Sequence, residues 1–209
     1  MKRSRWTVNS IVFSVFLVMM AGCSPSSDSG KTIPARQVAD VQAGNEKNYE
    51  FTRDGELLRE SLGDYRRWVY VGTPLTPNEL NPPEAAFPEF HNVYIHPEDY
   101  DHWEAKGSWR DGTILVKELV SVGKKQEVSG NGYFMGDFLG LEVTIKDADR
   151  FADEPGNWAY FSFGHSYPLA DKAKAFPTAS CNACHAASAA DDFVFTQDYP
   201  VLRAAKPSN

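Results

Sequence analysis

Two cysteines three positions apart, with a histidine directly after the second, constrain this chain more than any other stretch of it: Cys181-Asn-Ala-Cys184-His185. Only three cysteines are present, and the third, Cys23, lies far from the pair. A thioredoxin-like redox pair would open a helix beside a βαβ unit, and no such alternation surrounds this one. A zinc site would want a second ligand pair at comparable spacing, whereas His91, His96, His102 and His165 are scattered. The chemistry that fits is covalent c-type haem attachment. Two thiols at this spacing can add to the two vinyl groups along one haem edge, and the next residue offers its imidazole to the iron. Cys181 and Cys184 are therefore expected to hold one haem c, with His185 as axial iron ligand.

The chain around this motif predicts an α+β fold, mostly antiparallel β-sheet with a few short helices and a C-terminal haem attachment. Short strands are expected at 92–95, around 117, within 132–146 and at 157–164, each bounded by Gly, Pro or Asn. Residues 96–107 carry a proline at the start, acids in the first turn and a glycine at the end, the signature of a helix. With 15 Gly and 13 Pro the chain is too interrupted for a bundle of long helices. His185 stands only 24 residues before the end of 209, unlike small electron-carrier cytochromes, which attach haem early in a helical domain. Beyond the first 22 residues Met135 is the only methionine that could serve as a sixth iron ligand. Its aromatic neighbours favour core packing instead, which leaves the sixth position open.

The amino terminus carries an export signature. Met1-Lys-Arg-Ser-Arg5 is basic, Ile11 to Met20 is apolar, and Met20-Ala-Gly-Cys23 places small residues before a cysteine. Residues 1–22 are expected to be a lipoprotein signal peptide, Cys23 the lipidated first residue, 23–48 a flexible polar tether and 49–209 the haem domain. The expected location is periplasmic, on a membrane through the lipid anchor, and serine rather than aspartate after Cys23 favours the outer membrane. Losing Lys2, Arg3 and Arg5 takes the formal charge from −7 to −10, which argues against a nucleic-acid partner.

Gly112-Thr-Ile-Leu-Val-Lys-Glu-Leu-Val120 reads as a buried strand interrupted by a lysine. Strand side chains alternate between faces, so Lys117 shares a face with Leu115 and Leu119, while Ile114, Val116, Glu118 and Val120 take the other. An ammonium without a partner is costly to desolvate. An edge strand, where lysine discourages aggregation, is the simplest local explanation.

Seven stretches supply a different one. "RWVYVGTPLTPNELN", "FPEFHNVYI", "DGTILVKELVSVG", "SGNGYFMGDFLGLEV", "RFADEPGNWAYFSF", "CNACH" and "VFTQDYPVLRAAK", spread from Tyr65 to Lys206, resemble the cytochrome P460 family, whose fold is shared with the β-type cytochromes c′. The resemblance implies that Lys117 is bonded through its side-chain nitrogen to a meso carbon of the haem. It implies oxidation of hydroxylamine to nitric oxide or nitrous oxide, with electrons passed to an external acceptor such as a soluble cytochrome c, and a homodimer through the sheet. A pocket acid or base is then required; Glu89, His91, Glu118 and Asp137 are the candidates, and His91 is preferred because alternation turns Glu118 away from Lys117. A cytochrome that binds nitric oxide or another small gas without turnover is the alternative, followed by an electron carrier.

Overall fold

The computed structural model describes residues 47–208. The expected signal peptide at 1–22, the lipidated Cys23 and all of the expected tether except Lys47 and Asn48 lie outside the described residues. Among the described residues no helix is long and apolar enough to cross a membrane.

The β-branched and aromatic runs separated by Gly, Pro and Asn become five strands: β1 (Val69–Gly72), β2 (Phe90–Ile95), β3 (Ile114–Val122), β4 (Met135–Lys146) and β5 (Trp158–Ser162). They pair antiparallel in the order in which they occur in the chain. The fold is α+β with a mostly antiparallel sheet and short helices. Between β2 and β3 runs α1 (Pro97–Lys106), opened by Pro97 with Glu98 and Asp99 in its first turn. It stops at Gly107, whose φ of 64° gives the left-handed cap and lets its N–H donate to the Trp103 carbonyl at 2.7 Å. The buried Asp99 ties this helix to β3, accepting from Arg110 Nε at 2.6 Å and from the Ile114 N–H at 2.9 Å.

The lysine strand is not at an edge. β3 is the third of five strands, so the edge-strand explanation for Lys117 is excluded. Alternation holds along it and both faces of the sheet are covered. Ile114 and Val116 join Leu141, Val143, Ile145, Phe161 and Phe163 in one core. Leu115 joins Val93, Ile95, Trp158 and Tyr160 in the other, where Trp103 comes from α1, Trp109 from the loop after it, Val194 from the C-terminal segment and Leu202 from α3 (Pro200–Ala205).

Glu118 faces the first core, fully buried, and accepts from the Tyr65 hydroxyl at 2.7 Å and from Arg66 Nε at 2.9 Å. Lys117 faces the second. At the start of the described chain, Lys47 reaches Asp147 at 2.6 Å and Asn48 approaches His96 Nδ1 at 3.1 Å, so both residues are already docked on the domain.

Candidate haem site

Residues Thr178–Ser188 form α2, and its helical spacing puts Cys181, Cys184 and His185 on one face. The helix is fixed to the sheet by buried Asn182, whose Nδ2 donates to the Trp158 carbonyl at 2.8 Å. Both thiols are free, Cys181 half-buried and Cys184 exposed. His185 lies between two aromatic rings, 4.4 Å from Tyr160 and 4.7 Å from Phe195 between centroids. Its Nδ1 lies 2.7 Å from the Phe193 carbonyl. A carbonyl only accepts, so Nδ1 carries the hydrogen and Nε2 keeps its lone pair for a metal. Burial, reinforced by the Lys117 charge and opposed by the Phe193 carbonyl, holds this imidazole below its ordinary pKa. A neutral ring is the form that binds metal.

The sheet supplies the opposite wall. The register pairs His91 with Leu119, Val93 with Lys117, Lys117 with Glu142, and Glu142 with Ser162. His91, Lys117 and Glu142 therefore emerge on the same face, the one carrying Trp158 and Tyr160. Lys117 is ion-paired with Glu142, and the other Glu142 oxygen lies 3.0 Å from Nε2 of half-exposed His165. Phe87 covers the lysine, with Nζ 5.2 Å from its ring centroid, and also meets His91 edge-on at 6.0 Å. Cys181 packs on the core of Leu115, Trp158 and Tyr160, and His185 lies against Tyr160, so the motif helix and the lysine strand share this face of the sheet. Burial is the largest influence on Cys181 and pushes its thiol up.

His91 lies on the Lys117 face of this wall. Its pKa is drawn down to about 4, first by burial and then by the Lys117 charge, against Glu89 and Glu142. Glu89 Oε2 stands 3.7 Å from His91 Nε2, too far for a hydrogen bond. Four buried polar atoms lack a partner among the described residues: His91 Nε2, Glu89 Oε2, Trp158 Nε1 and Tyr160 Oη. Three of these belong to residues on the Lys117 face and the fourth lies beside His91. Native structures leave few such atoms unpaired, so the cluster fits a site completed by a bound group. The residues present thus fit a haem held by Cys181, Cys184 and His185 against Lys117.

Other residues weighed from the sequence lie elsewhere. Glu118 is turned to the opposite core, as alternation requires. Asp137 is exposed, its N–H donating to Ser121 Oγ at 2.9 Å. The Met135 sulfur lies 3.8 Å from Asn92 Nδ2, and Asn92 pairs with Glu118 on the face away from Lys117, so the sixth-ligand reading of this methionine loses its geometry. His96 begins α1 against Trp68, and His102 lies within α1. The residue that sequence reasoning missed is Glu142. Its signal was present, a carboxylate between Leu141 and Val143 in an alternating strand, but only the register of β3 against β4 reveals that it faces Lys117.

A comparison with curated proteins finds no match. A family model described as cytochrome P460 matches residues 63–196, well over half of the chain. The matched stretch runs from the turn before β1 through Lys117 and Glu142 to the haem motif and the Phe193 carbonyl behind it. It therefore takes in both walls of the site, and the chain belongs to the cytochrome P460 family of c-type haem cytochromes.

Proposed function

We propose that this protein is an exported, lipid-anchored mono-haem enzyme that oxidises hydroxylamine to nitric oxide or nitrous oxide. The observation that carries the reading is the position of Lys117. Its nitrogen stands on the sheet face against which the Cys181–His185 helix packs, and the family resemblance gives this lysine the cross-linking role. The haem, once bound, supplies an iron with an open position and a redox couple that accepts substrate electrons.

The chain's own residues supply the rest. Conversion of hydroxylamine to nitric oxide releases three electrons and three protons, so the pocket needs proton acceptors. His91 presents a neutral imidazole with an unpartnered Nε2, suited to orient a small polar substrate and accept a proton transiently. Glu142 offers a carboxylate two strands from His91, across Lys117, and His165 beyond it is exposed, giving protons a path to solvent. Phe87, against Lys117 and His91, brings an apolar ring to the wall and limits water. On this reading the electrons leave to an external acceptor such as a soluble cytochrome c, and the lipid on Cys23 holds the protein in the periplasm, on the outer membrane. A homodimer through the sheet completes the proposal.

The test is turnover of purified holoprotein with hydroxylamine and oxidised cytochrome c, with nitric oxide and nitrous oxide measured in the gas phase. Gas produced in step with acceptor reduction supports the reading. Absence of turnover, with tight nitric oxide binding to the ferrous protein, would establish the gas-binding alternative, which is favoured by the lack of any carboxylate in the haem-flanking 174–180 segment.

The depressed His91 pKa has a thermodynamic consequence. The folded state takes up the His91 proton only near pH 4, whereas the unfolded chain does so near 6.5. The unfolded state therefore binds more protons between these values, and stability falls as pH drops through that window. The full effect is at most about 3 kcal/mol, complete below pH 4 and absent above 6.5. His91→Phe removes this contribution. Denaturant melts of the holoprotein at pH 7 and pH 5 should differ less in the variant than in the parent, and equal differences would show that His91 is not desolvated.

A further inference from the structure

The proximal side of the site rests on a turn that its own sequence makes difficult. Asp191 and Val194 close a two-residue turn, the Val194 N–H donating to the Asp191 carbonyl at 3.0 Å. The two central residues, Asp192 and Phe193, have φ of 42° and 65°. Turns of this shape are normally built from Asn-Gly or Asp-Gly. A bulky residue in the left-handed region persists only where its surroundings hold it.

Those surroundings are specific. Lys146, on the same face of β4 as Glu142, donates to Asp192 Oδ2 at 2.7 Å and to the Gly156 carbonyl at 2.8 Å. The Phe193 ring closes on Gly156, itself at φ 63°, where a Cβ would lie 2.6 Å from Phe193 Cε2. Asp191 is pinned by Lys206 and Thr196, while its carbonyl accepts Trp109 Nε1–H at 3.0 Å. What the turn delivers is the Phe193 carbonyl, 2.7 Å from His185 Nδ1.

We propose that Lys146 is a positioning residue for the iron. By clamping Asp192 it holds the 191–194 turn in the one shape that directs the Phe193 carbonyl at His185, and so sets how strongly His185 donates to the metal. A carbonyl accepting the Nδ1 hydrogen makes the imidazole a stronger donor, which favours ferric over ferrous iron. The inference rests on His185 as axial ligand and is independent of hydroxylamine as substrate. None of the Lys146 hydrogen bonds reaches the haem ligands directly; its hydrogen-bonded route to His185 is the turn, beside a cation–π contact with the Trp158 ring at 5.3 Å.

The experiment uses the full holoprotein and the variants Lys146→Met, Lys146→Arg and Asp192→Asn, each checked for covalent haem by intact mass. Reduction potential and the ferrous iron–histidine stretching band in resonance Raman are measured. In Lys146→Met the potential shifts upward and the band moves to lower frequency. Lys146→Arg restores both toward the parent. Asp192→Asn, which keeps a residue tolerant of positive φ but removes the charge, shifts both in the same direction as Lys146→Met by a smaller amount. Parental potential and band position in Lys146→Met overturn the proposal. Should that variant fail to retain haem, parental values in Asp192→Asn overturn it equally. A parent protein whose ferrous iron is five-coordinate yet shows no iron–histidine band would remove the His185 assignment and the proposal with it, whatever the substrate proves to be.

Discussion

Replacing Lys117 by alanine is expected to return the ferrous spectrum of the holoprotein to that of an ordinary c-type cytochrome and to release the Lys117 peptide from the haem after proteolysis. Hydroxylamine turnover should fall by about two orders of magnitude, the upper end for groups that tune a metal centre. Lys117 sits in the central strand, half-buried, with Glu142 as its carboxylate partner and Phe87 against it. Two explanations of its role then compete. As an ammonium it would act by charge, and its pair with Glu142 would suffice to hold it on this wall. As a nitrogen joined to the haem edge it would act by changing the macrocycle itself, and the Glu142 charge would be left to His165.

Lys117→Arg separates the two, since arginine keeps a cation beside Glu142 but its guanidinium is a poor substitute for an amine in forming the bond. Return to an ordinary c-type ferrous spectrum in both variants assigns the effect to the covalent link. Retention of the parental spectrum in Lys117→Arg would assign it to charge. A parental spectrum in Lys117→Ala would sink the cross-link altogether.

The parts of this site that could be read in the sequence are those whose geometry is local. Cys181, Cys184 and His185 declare their chemistry within five residues, because a single helical turn sets their mutual placement. The helix from Pro97 to Lys106 could be read from its proline, its acids and Gly107. The face of Lys117 followed from alternation, and so did the turn of Glu118 toward the opposite core. Register was not legible. That Glu142 faces Lys117, or that His91 lies on the same wall one pair further along, depends on how three separate strands align, and a slip of one residue would reverse both. The edge-strand explanation failed for the same reason: nine residues say how a strand alternates and nothing about how many neighbours it has. The Asp192-Phe193 turn was equally hidden, since its positive φ values are imposed by Lys146 and Gly156 from distant parts of the chain.

Arg66→Met is expected to cost about 3 kcal/mol of stability, read as a lowered denaturation midpoint at unchanged slope. Glu118 is fully buried, and its carboxylate has two side-chain partners, the Tyr65 hydroxyl and the Arg66 guanidinium. Removing the guanidinium leaves a desolvated charge with one neutral donor, the situation that makes broken buried pairs expensive. The reverse change, Glu118→Leu, should cost less, because Arg66 is about half exposed and can turn its charge to water. The double variant should be closer to the parent than Arg66→Met alone, since an apolar pair can replace a buried ion pair at little net cost. An Arg66→Met variant as stable as the parent would show that Tyr65 and solvent already satisfy the carboxylate. Lys117 is the next residue along the strand but points to the other face. The Arg66→Met protein that remains folded should therefore keep the parental ferrous spectrum, with one side of β3 carrying stability and the other carrying the haem chemistry.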